Sequence, residues 1–145
     1  MSKSLFHLVE DLIEPDSSYK NINIHGIKTD SNKVLPGDLF IAVPGTNFDG
    51  HDFVDQAICN GASAVITNGR DMNIDPIPQI KVANPRKAAS LVSSKLFNSP
   101  SKDITVIGIT GTNGKTTTAY LIANSLNKAG YKTAQIGTTG IIAEG

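Results

Sequence analysis

ITVIGITGTNGKTTTAYLIANSL, residues 104–126, carries the strongest structural signal in this 145-residue chain. An apolar run over 104–109 enters a glycine-rich turn. The turn opens a segment of helical spacing over 115–129 that stops at Gly130, and a second short strand follows over 132–136. Strand, helix and strand in that order predict one βαβ unit with a parallel sheet and a right-handed crossover. Gly111 and Gly114 permit backbone angles and a close approach that side chains would block. The N–H groups from Gly111 through Thr112, Asn113 and Gly114 then point inward as an anion nest, and the helix N-terminus adds its partial positive charge. Lys115 reaches the β- and γ-phosphates as a point charge, Thr116 offers its hydroxyl to magnesium, and Thr117 adds a hydroxyl or N–H. The stretch from Gly111 to Thr117 therefore predicts an ATP site with Lys115 and Thr116 in the catalytic roles. Its spacing departs from the standard phosphate loop, because Ile109 stands where that pattern has glycine and Gly108 comes one place early. The plainer alternative is a glycine turn before a helix, with Lys115 merely solvated.

Working back toward the N-terminus, Asn98-Ser99-Pro100-Ser101 is a polar, proline-containing boundary. It places a first domain at 1–98 and the start of a second at 99–145. Asn84-Pro85 reads as a cap followed by proline at the first helical position, opening a helix to about Phe97. LFIAV at 39–43 is a short apolar run of the kind buried on both faces. Strands are expected at 64–67 and 79–82, a helix at 51–60 closed by Gly61, and a polar loop at 68–78. Ile22, Ile24 and Ile27 alternate as a strand would. Leu5, Leu8, Val9, Leu12 and Ile13 recur at helical spacing. The expected class is α/β: a small mixed-sheet domain followed by the first βαβ unit of a phosphate-loop ATPase domain.

Thirteen basic residues balance thirteen acidic ones, so no net field draws the chain to nucleic acid or to an anionic membrane. No apolar run reaches the length of a membrane span, and the acids within MSKSLFHLVEDLIE do not suit a secretory signal. The single cysteine, Cys59, excludes an internal disulfide framework and suits a reducing cytoplasm. It reads as a small core residue beside Ile58. No His, Cys and Asp cluster has metal-ligand spacing.

The loop GTNGKTTT preceded by VIGIT resembles the ATP-binding loop of the Mur ligases. TDSNKVLPGDLFIAVPGTNFDGHDFVDQAICNGASAVI, residues 29–66, is similar to their uridine-nucleotide-binding domain. IGTTG at 136–140 and the asparagine of GTNGKT fit the UDP-N-acetylmuramoyl-tripeptide synthetase branch, which adds the third residue to the peptidoglycan precursor. The branch that adds the terminal dipeptide is the near alternative. The resemblance implies that 1–98 is the UDP-binding domain and 99–145 the start of the central ATP-binding domain. Thr29 and Ser31 would contact the uracil and ribose, and Thr46, Asn47 and Phe48 would line the same pocket. Gly137, Thr138 and Thr139 would lie near the sugar-peptide substrate. Asn32 stands where the family usually has arginine, with Lys33 after it. His51, in the family's DGH motif, reads as a capping or packing residue.

The implied reaction has two steps. A D-glutamate carboxylate takes the γ-phosphate of ATP, giving an acyl phosphate and ADP. The amine of a diamino acid, diaminopimelate or lysine, then displaces phosphate to form an amide. The implied cofactors are ATP and magnesium, and the partners are UDP-N-acetylmuramoyl-dipeptide and the diamino acid. Neither nucleic acid nor membrane is expected, and the full-length enzyme is expected to be a cytoplasmic monomer. The family's acidic magnesium ligands, modified lysine and amino-acid-binding domain come later than Gly145, so the isolated chain is expected to be inactive. A non-catalytic module that holds a UDP-sugar is the alternative from a different class.

Overall fold

A computed structural model describes residues 2–144, in two compact units, Met1–Asp103 and Ile104–Gly145. In the first unit, β1 (Lys3–Ser4) runs into α1 (Leu5–Val9) and pairs antiparallel with β2 (Asn23–Ile24). After a break at His25 come β3 (Gly26–Lys28), β4 (Asp38–Ile41), α2 (Val54–Cys59), β5 (Ala64–Thr67), β6 (Gln79–Lys81) and α3 (Pro85–Leu96). β3, β4, β5 and β6 lie side by side in chain order, all parallel. The α/β class expected from the sequence is the class observed, with parallel and antiparallel strands held in separate sheets.

Side-chain alternation along β4 explains why this sheet is buried on both faces. Leu39 and Ile41 join Ala64, Ile66 and Ile80 in one core, which α1 covers with Leu5, Leu8 and Val9 and α3 with Ala88, Val92 and Leu96. Phe40, Ala42 and Val65 form the other core with Val54 and Ala57 of α2. Burying a side chain such as Phe40 or Leu39 stabilises by about 1.5–3 kcal/mol each. The 68–78 loop adds Ile74, Met72 and Ile77 to this second core, so that loop is not purely polar.

Two local devices hold strand register and helix position. A Cβ at Gly26 would clash with Asp38 Oδ1 on the paired strand, so any side chain there must displace the Asp38 carboxylate. Asp38 is itself buried, and its Oδ2 accepts the Leu35 N–H at 3.0 Å. At α3, Asn84 Oδ1 accepts the Lys87 N–H at 3.0 Å and Pro85 occupies the first turn, as the sequence predicts. Two further expectations are corrected in this unit. The alternation of Ile22, Ile24 and Ile27 does not make one strand, because the chain switches sheets at His25, whose N–H bonds Gly37 O at 3.0 Å. Cys59 is exposed rather than in the core, because α2 buries only Val54 and Ala57.

The second unit holds α4 (Lys115–Lys128), β7 (Thr133–Gly137) and β8 (Gly140–Glu144). α4 ends as expected at Gly130, with φ +89°, and the Tyr131 N–H caps Leu126 O at 3.0 Å. β7 does not pair in parallel with a strand at 104–109. It turns through Thr138 and Thr139 into β8 and pairs with it antiparallel. Residues 104–109 form no ladder, and Ile104, Val106 and Ile107 are each more than half exposed. An apolar run becomes a strand only where a neighbouring strand takes up its backbone groups, and among the described residues none lies beside it.

Candidate functional site

Two groups of residues named from the sequence take shape, one in each unit. In the first, the loops that leave the C-terminal ends of β3, β4 and β5 gather at one edge of the parallel sheet, where open α/β sheets hold their ligands. β3 ends into Thr29, which is exposed, and a 3-10 turn over Ser31–Lys33 follows. Asp30 caps this turn by accepting the Asn32 N–H at 3.1 Å, and the same bond lowers the Asp30 pKa. Ser31 is buried. Its hydroxyl donates to Gln56 Oε1 at 2.7 Å, and its carbonyl accepts from Asn60 Nδ2 at 2.9 Å. Its one hydroxyl proton is thus committed within the protein, and only its lone pairs remain for a ligand. Gln56 also donates to Asn32 Oδ1 at 3.0 Å, so α2 grips both residues of this turn. Lys33 pairs with Asp30 at 3.4 Å.

The loop after β4 is a narrow excursion. Pro44 and Asp49 are bridged, and the Gly45 N–H bonds Phe48 O at 2.9 Å. Thr46, Asn47 and Phe48 project at its tip, and Phe48 is 73% exposed with its ring set edge-on to Phe53. Below the loop, His51 is wholly buried. Its Nε2 accepts the Asn68 N–H at 3.2 Å, which leaves the ring proton on Nδ1, facing Asp49 Oδ1 at 2.5 Å. The His51 backbone N–H, followed by its ring, lowers the Asp49 pKa. His51 therefore packs and braces, as its sequence reading holds.

Three residues of this edge gave no sequence signal. Arg70 Nη2 lies 3.4 Å from Asp49 Oδ2, Arg86 Nη2 donates to Pro44 O at 3.2 Å, and Gln56 holds Ser31. Their partners lie 21, 42 and 25 positions away in the chain, beyond any local pattern.

In the second unit, Gly114 takes φ +75° and begins α4, so the first N–H groups of the helix open onto the loop. Lys115 folds across that loop, its Nζ donating to Gly111 O at 2.6 Å and Thr112 O at 3.3 Å. Asn113 and Gly114 are exposed along with it. A concave depression of ≈ 290 Å³ brings Thr116 and Thr117 together with Tyr120, Gln135, Thr139 and Ile142. Thr139 of the β7–β8 turn thus shares a wall with Thr116 and Thr117. Gly137 and Thr138 lie in the same hairpin, outside that lining. Among the described residues no helix is long and apolar enough to cross a membrane.

Both units match known proteins. The sequence model described as Mur ligase family, catalytic domain, matches residues 23–109, and the one described as Mur ligase middle domain matches 109–144. The chain is 43% identical over 116 residues to the UDP-N-acetylmuramoyl-L-alanyl-D-glutamate–2,6-diaminopimelate ligase of Clostridium perfringens, covering 79% of this chain and 24% of that protein. It is 36% identical over 138 residues to the ligase of the same name from Bacillus velezensis, covering 95% and 27%. A solved structure of a diaminopimelate ligase of that name superposes with a TM-score of 0.73 at 26% identity, over 99% of this chain and 29% of the other. MurF ligase of Thermotoga maritima, solved in complex with ADP, superposes with a TM-score of 0.57 at 34% identity, over 72% and 23%. The chain spans about a quarter of the length of the curated relatives it matches. The first of these models covers more than half of the chain, and on that ground the chain belongs to the Mur ligase family.

Proposed function

We propose that this chain is the nucleotide-binding front part of a cytoplasmic, monomeric ligase. That enzyme uses ATP to join diaminopimelate to UDP-N-acetylmuramoyl-L-alanyl-D-glutamate through an acyl phosphate. The observation that carries this reading is the phosphate loop itself. Gly114 in the left-handed region starts α4, and Lys115 lies folded over the loop carbonyls. Relatives 36–43% identical that bear the name of this diaminopimelate ligase support the choice of substrates. On this reading residues 1–98 hold the uridine nucleotide through Thr29, Ser31, Thr46, Asn47 and Phe48, and 99–145 begin the ATP-binding domain.

The chain's own residues do the following. Arriving phosphate oxygens compete with Gly111 O and Thr112 O for the Lys115 ammonium and draw it onto the β- and γ-phosphates. The loop and first-turn N–H groups take the remaining negative charge, which spreads as the phosphoryl group transfers. Thr117 adds a donor, and Thr139 faces the same depression from the hairpin side. Thr116 supplies a hard hydroxyl oxygen in the first helical turn, which suits magnesium, and it would hold the ion there. Magnesium, when bound with ATP, neutralises phosphate charge.

Calorimetric titration tests the reading directly. The chain is expected to bind magnesium-ATP and, separately, UDP-N-acetylmuramoyl-L-alanyl-D-glutamate. No heat with either ligand at millimolar concentration would sink the assignment. The chain alone is expected to release no ADP in the presence of both substrates, whereas the full-length ligase should do so only when precursor and diaminopimelate are both present.

A further inference from the structure

The Pro44–Asp49 loop carries three of the proposed uridine contacts on its exposed tip, and two arginines hold its two ends. Arg86 Nη2 donates to Pro44 O at 3.2 Å, and Arg70 Nη2 pairs with Asp49 Oδ2 at 3.4 Å. The arginines come from different connections, Arg70 after β5 and Arg86 in the first turn of α3. Arg86 leaves a rigid point, because Asn84 caps α3 and the buried Pro85 fixes its first turn. A cation in the first turn also stands against the helix dipole, and α3 has no acidic residue there to offset it. As a surface charge Arg86 therefore costs stability at this place. Its contact with Pro44 O gives it a use.

We infer that Arg86, with Arg70, is a positioning residue for the nucleotide loop: the pair fixes both ends of residues 44–49 so that Thr46, Asn47 and Phe48 are presented in one arrangement. This rests on the uridine-binding reading above. Neither guanidinium needs to touch the ligand. The bond of Gly45 N–H to Phe48 O sets the loop's shape and that of Gly50 N–H to Val43 O closes its base; His51 braces Asp49 from below, and the arginines hold the two ends from the sides. Untethered, the loop samples other orientations, and the ligand must then select one.

The test uses the whole chain with UDP and magnesium-ATP as probes, titrated separately into wild type, Arg86→Ala, Arg86→Lys, Arg70→Ala and the neighbouring exposed control Lys87→Ala. Arg86→Ala should weaken UDP binding about tenfold, the loss of one charge-assisted hydrogen bond. Arg70→Ala should do the same or less, because its pair is exposed. Arg86→Lys, which keeps a cationic donor for Pro44 O without the guanidinium fork, should recover to within about threefold of wild type. Magnesium-ATP binding should stay unchanged in every variant, and Lys87→Ala should match wild type throughout. In the free chain, hydrogen exchange at Gly45 should quicken in Arg86→Ala while that of Phe40 does not, which a general loss of stability would not produce. Wild-type UDP affinity in both alanine variants, or equal losses for UDP and ATP, overturns the inference and leaves the uridine reading standing. Failure of the wild-type chain to bind UDP at all overturns both.

Discussion

Replacing His51 with alanine removes the imidazole that joins the Pro44–Asp49 loop to the end of β5. The ring is fully buried, so its loss leaves a hole as well as two broken contacts. One contact is the Nδ1–H facing the Asp49 carboxylate at 2.5 Å, and the other is the Asn68 N–H bonded to Nε2 at 3.2 Å. Each hydrogen bond contributes on the order of 1 kcal/mol net, and an Asn68 N–H left in a partly buried place adds to that. The lost packing of the ring adds roughly 1 kcal/mol more. The expected destabilisation of the first unit is therefore about 3 kcal/mol. Native-state hydrogen exchange at Phe40 and Ile41 measures it, since these central β4 amides exchange only when the unit opens globally. In His51→Gln the amide oxygen can take the place of Nε2 and accept from Asn68, so about a third of the loss should be recovered. A change below about 1 kcal/mol in His51→Ala would refute the reasoning, because it would mean that the buried ring and both its bonds contribute almost nothing. Slower exchange at Phe40 would refute it more directly.

Other outcomes follow from the same structure. Gly26→Ala should cost about 2 kcal/mol by the same exchange measurement, because Asp38 must swing away from the new methyl and release the Leu35 N–H; wild-type exchange would show that Asp38 yields freely. Lys115→Ala should lower magnesium-ATP affinity at least about tenfold in a calorimetric titration while leaving UDP binding unchanged. Asp49 has a folded pKa held below its ordinary value by the His51 N–H and ring, so its stabilising contribution is fully present above the ordinary carboxylate pKa and is lost as pH falls through the folded value. The melting temperature of the wild type should therefore fall on acidification below about pH 4, and Asp49→Asn should show a shallower acid limb; an identical limb would remove Asp49 from the account.

What could be read in the chain before its fold was known lies in short-range patterns. Asn84-Pro85 announces α3 because capping and the proline first turn involve residues only three apart. LFIAV reads as a central strand because apolar side chains at every position require two covered faces. GTNGKTT reads as a phosphate loop because its glycines, lysine and hydroxyls are all local to one turn and one helix start. The motif series over 29–66 carries the resemblance to the family that the comparisons then show.

The rest depended on contacts between distant segments. Nothing near Ser31 in the chain says that Gln56 takes its hydroxyl, nor does anything near Pro44 mark Arg86 as its anchor. Those partners meet only because parallel strands require long crossovers, which carry residues far apart in the chain to one edge of the sheet. The switch of sheets at His25 has the same origin, whereas β7 finds its partner in the adjacent β8 and not in a strand at 104–109. Periodicity states which residues prefer to be covered, but the packed neighbours decide which of them are. The sequence alone thus determined the capped start of α3, the buried strand β4 and the glycine turn that opens α4. Tertiary structure decided which side chains hold the Pro44–Asp49 loop in place.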